Sequence, residues 1–403
     1  MSDIPFEKPW LTVIGLGEDG LDGLSPATRQ VLDKAEVIMA PPRHLSLVPE
    51  GHQDRIEWPV PYADGFAKLL DLRGRQVVVL ASGDPFWFGA GSVIARNIAP
   101  GEWTARPGPS TFSLAAAELA WPLEQTLTIG LHAAPLTRLR PHLAPGLRAI
   151  VLLRDGDAVL ALADWLTALG FGESLVEVME ALGGPRQHLL SSKASELRFD
   201  DIQHPVCVGI DVAGSGLTIP KASGKPDAIF ETDGQITKRP VRALTLSALA
   251  PQHGEHLWDI GGGTGSIGIE WLISHPSLTA TTIEPRADRA ERIRRNADDL
   301  GQDRLHVIHG KAPTVLEGLD APDVVFIGGG LSDGLLVWLN ENLATGTRLV
   351  ANAVTLESEA VLAQWHEKLG GGLLRIELAQ SAPLGPRRGW KSTYPVVQWS
   401  VTL

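Results

Sequence analysis

The chain has a single cysteine, Cys207, so an internal disulfide is excluded. Cys207 sits in the apolar run Val206 to Val212, where a thiol is strand filler. A reducing, cytoplasmic setting is expected. No apolar stretch reaches the roughly 20 residues that span a bilayer, so no membrane partner is expected. The first residues, MSDIPFEKPW, lack a basic segment followed by an apolar core, so no secretory leader is expected. Basic charge is scarce too: 35 Lys and Arg face 47 Asp and Glu, a net charge of −12. That balance argues against nucleic acid as a partner, although a local basic cluster can still hold a small acid. The 12 histidines are scattered, without His-x-x-x-His or Cys/His spacing, so no metal site is expected. No Ser/His/Asp set stands out, and no catalytic residue is assigned.

What is present is an α/β pattern. A length of 403 residues suggests two or three domains. In the first half, Trp10 to Leu16 reads as a strand entering Gly15-x-Gly17-Glu-Asp-Gly20. Ser25 is a helix N-cap with Pro26 behind it. Strands are predicted at Val37 to Ala40, Gln76 to Ala81, Thr126 to Leu131, Ala149 to Leu153, Leu175 to Met179 and Val206 to Val212. Helices fall between them, including Ser110 to Leu119 and Ala158 to Leu169. The alternation predicts a largely parallel sheet. From Ala213 to Pro226 the chain is rich in Gly, Ser and Pro, the mark of a linker or long loop. We therefore place domains at 1–213 and 230–403, with a linker at 214–229. The second half restarts at Phe230, with β/α units at Leu257, Thr279, Leu305, Val324, Arg348 and Leu373, and a last strand near Pro395 to Val401. The two halves carry different glycine motifs, which indicates a fusion rather than a duplication.

The most telling segment runs from Leu257 to Glu270. An apolar strand ends in Asp259 and is followed by Gly261, Gly263, Thr264 and Gly265 and then a helix. A second strand, Thr279 to Ile283, leads into Glu284. Glycines let a ligand approach the backbone, and an acid ending the second strand can accept both ribose hydroxyls. Gly263-x-Gly265-x-x-Gly268 also satisfies the dinucleotide fingerprint. Asp259 before the glycines would repel a pyrophosphate and attract a cationic ligand, which favours S-adenosylmethionine. Asp323 to Gly330 supplies another strand ending in glycines, with Gly328, at the same sheet edge.

These blocks carry family resemblances. Ile236-Thr-Lys-Arg-Pro-Val-Arg-Ala243, Trp258 to Glu270, Asp323 to Gly329 and Arg348 to Ser358 resemble the class I methyltransferases of cobalamin synthesis. Those enzymes methylate C15 of a precorrin and decarboxylate its acetate side chain. Gly15-Leu-Gly17, Gly83-Asp84-Pro85, Pro107 to Thr111 and Glu180 to Gly183 resemble the tetrapyrrole methylases. The order of the halves is similar to the precorrin-6Y C5,15-methyltransferase (decarboxylating) family. The resemblance implies a tetrapyrrole-methylase (class III) fold of two α/β lobes fused to a Rossmann-like class I domain. It implies methylation of precorrin-6B (6Y) at C5 and C15 with loss of the C12 acetate carboxylate as CO2, giving precorrin-8X. The C5 methyl falls to the first half, and C15 and the decarboxylation to the second. Implied donor-binding positions are Asp259, Gly261, Gly263, Thr264, Gly265, Glu284, Ala312 and Gly328 in the second half. In the first half they are Gly15, Gly17, Gly83, Asp84 and Thr111. Some positions depart from the pattern: Lys311 stands where many class I enzymes place an acid near the adenine, Gly262 and Thr264 stand where the family usually has a small residue and Ser, and Leu131-His-Ala-Ala134 replaces a more basic His-Gly-Arg stretch, which leaves the role of His132 open.

A precorrin carries many carboxylates, which Arg binds well. Candidates are Lys238, Arg239 and Arg242 before the donor motif, and Arg387, Arg388 and Lys391 near the end. A solvated charge run is the alternative for either cluster, and Asp84 has a turn role with Pro85 as its alternative. Trp390 is read either as a stacking surface or as core. A homo-oligomer is expected. The rival functions are a methyltransferase acting on another tetrapyrrole, a small metabolite or tRNA, and a non-catalytic nucleoside sensor.

Overall fold

In the computed structural model the described residues are 9–59, 61 and 64–403. Most of the N-terminal stretch on which the leader expectation was read, residues 1–8, lies outside them. The chain divides into two compact units. One comprises the segment up to Ala134 together with Ala144–Leu217. The other comprises Pro135–Leu143 and Thr218–Leu403.

The first unit holds two five-stranded sheets. The first sheet runs in the order Asp54–Glu57, Val37–Ala40, Val77–Ser82, Leu11–Leu16, Trp103–Arg106, and all its pairings are parallel. Its central strands are β-branched and buried on both faces, as a covered parallel sheet requires. Ser25 caps the helix Pro26–Asp33 by accepting the Thr28 N–H at 3.2 Å.

The second sheet departs from the parallel expectation. Only Leu127–Gly130 and Arg148–Leu153 pair in parallel; Val206–Asp211, Leu175–Glu180 and His188–Lys193 are antiparallel. For the pair Leu175–Glu180 and His188–Lys193 the reason is connection length. Seven residues separate Glu180 from His188, room for a hairpin return and too few for a crossover helix.

The second unit is a seven-stranded sheet. Its order is His306–His309, Thr279–Glu284, His256–Ile260, Val324–Ile327, Arg348–Ala353, Val396–Thr402, Gly372–Ile376. Only Val396–Thr402 runs against its neighbours. Chain order reverses beside His256–Ile260, and a crevice at such a switch point is where open α/β sheets bind ligands. A separate hairpin, Ala379–Leu384 with Arg387–Ser392, was not foreseen.

The stretch read as a linker is not free chain. The boundary between the units falls at Leu217 and Thr218. Beyond it, Ile219 is buried in the core of the second unit with Trp271 and Leu272, and Lys225 is buried as well. The Gly224 and Lys225 N–H groups donate to the two Glu270 carboxylate oxygens, both at 2.8 Å. Gly, Ser and Pro here mark a tight, packed path rather than slack.

Candidate donor and substrate sites

Three strand ends build the site of the second unit. His256–Ile260 delivers the glycine turn, Thr279–Glu284 delivers the acid, and Val324–Ile327 delivers Gly328 and Gly329. Gly261 has φ +76°, and a Cβ there would sit 2.5 Å from the Gly329 nitrogen. Only glycine lets the two turns close on each other. The Gly328 N–H completes the junction by donating to the Ile260 carbonyl at 2.9 Å. The cavity over these ends measures about 1300 Å³. Gly261, Gly263, Thr264, Glu284, Ala312 and Gly328 line it, as do Lys238 and Arg239.

Glu284 is buried at the base of this cavity. One of its oxygens accepts the Gly263 N–H at 2.9 Å and the other accepts the Arg286 N–H at 3.1 Å. The Thr264 hydroxyl is buried without a partner among the described residues. An acid, an unpaired hydroxyl and an open glycine backbone fit the polar nucleoside of S-adenosylmethionine.

Four expected residues of the second unit sit elsewhere. Asp259 does not line the cavity. It is buried behind the turn, where one oxygen accepts the Gly268 N–H at 3.2 Å and the Thr282 hydroxyl at 3.3 Å. Burial pushes its carboxyl up to about 7, so it is a poor attractor for a cation at neutral pH. Its place is structural: it ties the helix after the glycines to the neighbouring strand. Gly265 is likewise absent from the lining; it is the N-cap of the helix Ser266–Ser274, with φ +77°.

Arg242 is the third correction. Its side chain is fully buried and donates to Glu270 at 2.6 Å, Asp227 at 2.9 Å and the Lys225 carbonyl at 2.5 Å. It also donates to the Thr237 carbonyl and lies over the Phe230 ring. With these donors engaged inside the protein, it has no access to a substrate carboxylate. Arg388 is exposed on the hairpin, bonded to Ser381, and does not line the cavity. Trp390 is exposed rather than core. The cavity takes Gln380 and Tyr394 from this region instead.

Sequence reading missed Glu270 and Asn296. Asn296 donates to the carbonyls of Glu231 and Thr264 and accepts the Glu231 N–H, clamping the entry segment to the glycine turn. The available signal was its position on the buried face of Ala287–Asp299, beside Ala290, Ile293 and Ala297.

The first unit has its own cavity of about 630 Å³ at the carboxyl ends of Leu11–Leu16 and Val77–Ser82. Gly17, Gly83, Asp84 and Thr111 line it. Gly15 does not; a Cβ there would lie 1.7 Å from the Gly83 carbonyl oxygen and 2.6 Å from the Gly108 nitrogen. Its glycine is needed for close packing of three turns. Asp84 also takes its turn role, accepting the Phe86 N–H at 2.9 Å. Cys207 borders the cavity but is buried, and desolvation pushes its thiol up to about 12.

Two family models match these two regions. Residues 10–198 match tetrapyrrole (corrin/porphyrin) methylases, and residues 228–403 match a precorrin methyltransferase domain. A Sinorhizobium protein named precorrin-6Y C(5,15)-methyltransferase (decarboxylating) is 48% identical over 100% of this chain and 98% of its own length. The chain belongs to this family. A Mycobacterium tuberculosis protein of the same name is 39% identical over 97% of this chain and 99% of its own. The crystal structure of the C-terminal domain of precorrin-6Y C5,15-methyltransferase from Rhodobacter capsulatus is 53% identical. It covers 46% of this chain and 100% of that chain, with a TM-score of 0.45.

Family membership accounts for two glycine-built cavities in one chain. His132, in the stretch less basic than the pattern, lines the first cavity. Glu18, Arg43 and His44 line it too and were not foreseen.

Proposed function

We propose that this enzyme methylates precorrin-6B (6Y) at C5 and C15 and decarboxylates the C12 acetate, giving precorrin-8X. The observation that carries the reading is one donor-type cavity in each unit, in a chain 48% identical end to end to a relative named for both positions. S-adenosylmethionine, when bound, supplies an electrophilic methyl group. The second unit holds it through Glu284, Thr264 and the glycine backbone; the first through Gly17, Gly83, Asp84 and Thr111. Lys238 and Arg239, exposed at the larger cavity, take substrate carboxylates.

A meso carbon of a reduced, enamine-like macrocycle is already nucleophilic, so no strong base is needed. Alignment is the main task, and approximation of this kind supplies about 7–11 kcal/mol. For decarboxylation the conjugated imines of the substrate accept the electron pair as CO2 leaves. The residues around the cavity orient the acetate. The first unit adds the C5 methyl; the second adds the C15 methyl and releases CO2. The test is the product mass after incubation with precorrin-6B and donor. A gain of two methyls with loss of CO2 is expected, and methylation without CO2 loss would refute the assignment.

A further inference from the structure

We propose that Trp87 and Phe88, with Arg43 on the wall of the same cavity, form the seat for the flat face of the precorrin in the first unit. The proposal rests on the reading that this unit methylates a precorrin. Three large aromatics, Phe86, Trp87 and Phe88, follow Gly83-Asp84-Pro85 in sequence. They remain 43%, 40% and 56% exposed, and the last two line the cavity. Phe88 holds φ +59°, a left-handed conformation that is a true outlier for a bulky residue. Strain of that kind collects where a side chain must be aimed.

The ring has a prepared place. Its centroid lies 6.1 Å from Phe112 and 6.4 Å from His132, and Trp87 lies 5.1 Å from Phe112. A Cβ at Gly130 would come within 3.2 Å of the Phe88 ring, so glycine there leaves it room. An aromatic pair is thus backed by the buried Phe112 while its outer surface stays open.

Charge decides what the open surface receives. Glu18 gives one oxygen to Arg43 and the other to Arg186, the latter at 3.1 Å. One carboxylate between two guanidiniums leaves this cluster at net +1. Arg43 is pinned further by its bond to the Ser82 hydroxyl at 2.8 Å. A positive cluster on the cavity wall attracts carboxylates. The occupant it suits is a planar π-system edged with acetates and propionates. Arg43 meets a carboxylate, and Trp87 and Phe88 meet the ring plane.

The test uses the full chain with precorrin-6B and donor. The readouts are the KM for C5 methylation (the position fixed by NMR of the product), donor affinity by calorimetry, and Tm. Phe88→Leu keeps apolar bulk but loses the π face; its KM is expected to rise about threefold to tenfold. Phe88→Tyr restores it. Phe88→Gly removes the ring and relieves the φ; KM rises at least as far while Tm stays within a few degrees. Arg43→Gln raises KM as well, and all four variants keep wild-type donor affinity. Wild type that adds no C5 methyl overturns the reading of the first unit and the proposal with it. Wild-type turnover with unmoved KM in Phe88→Leu and Phe88→Gly overturns the proposal alone. Donor affinity that falls in step with KM also overturns it, because the rings then serve the donor.

Discussion

Glu284 accepts the Gly263 N–H at 2.9 Å, which joins the acid at the end of the second strand to the turn at the end of the first. One carboxylate therefore shapes the glycine turn and faces the cavity. Its removal deletes a hydroxyl acceptor and frees the turn together. Glu284→Ala is expected to weaken donor binding in the second unit by about 1.5–3 kcal/mol, the range for hydrogen bonds to charged groups. Calorimetry on the full chain should show one of two donor sites weakened tenfold or more. Two unchanged sites would remove Glu284 from the donor site.

Asp259 makes the second unit sensitive to pH. Its carboxyl sits near 3.8 when unperturbed and is raised to about 7 in the fold, mainly by desolvation. The folded state therefore holds the proton more tightly. The stabilisation is fully present below about 3.8 and is lost as pH rises through about 7. Asp259→Asn should remove this dependence. The Tm of wild type minus that of Asp259→Asn should fall between pH 4 and pH 7 and level off above pH 8. A flat difference would mean that Asp259 is solvated in the folded protein.

Arg239 and Arg242 are three residues apart in sequence but have different roles. Arg242→Met leaves Glu270 buried without its cation, and loss of one partner of such a pair destabilises by about 3–5 kcal/mol. Denaturant unfolding should show that loss in the transition of the second unit. Arg239 is exposed and, among the described residues, bonds only the Gly224 carbonyl, at 2.7 Å. Arg239→Gln should change stability by less than about 1 kcal/mol and raise the KM for precorrin, with donor affinity unchanged. A KM within twofold of wild type would return Arg239 to the solvated-face reading.

The α/β alternation and the glycine turns were legible because both follow local rules: β-branched runs, N-caps and positive-φ glycines. Val37–Ala40 is observed at the expected bounds, and Leu11–Leu16 within a residue of them. Strand direction in the second sheet was not foreseen, because His188–Lys193 was not read as a strand. Nor was the fate of the basic cluster. Lys238, Arg239 and Arg242 look alike in sequence, but a helix beginning at Arg239 turns Arg242 inward toward Glu270 while Arg239 stays outside. Asp259 failed for a related reason. Adjacency to a glycine turn does not reveal which way a carboxylate points, and this one points away from the cavity, toward Gly268 and Thr282. Tertiary partners such as Glu270 and Asn296 leave little trace in a single sequence, because their hydrogen bonds go to backbone far along the chain.

Where the chain is cut should decide whether the second unit folds alone. A fragment from residue 228 omits Ile219 from the core and removes the Gly224 and Lys225 N–H groups that hold Glu270. It also removes Asp227 and the Lys225 carbonyl from Arg242. A buried ion pair stripped of its hydrogen bonds is strongly destabilising. A fragment from Thr218 keeps all of these partners and omits from the second unit only Pro135–Leu143. We expect the Thr218 fragment to unfold cooperatively, to bind one equivalent of donor, to methylate C15 and to release CO2. The shorter fragment should be at least about 3 kcal/mol less stable or fail to fold. Comparing the two by denaturant unfolding, donor calorimetry and CO2 release separates the outcomes. Equal stability would show that the segment 218–227 is a tether after all. A Thr218 fragment that folds and binds donor, yet releases no CO2 from the precorrin, would refute the division of labour between the units.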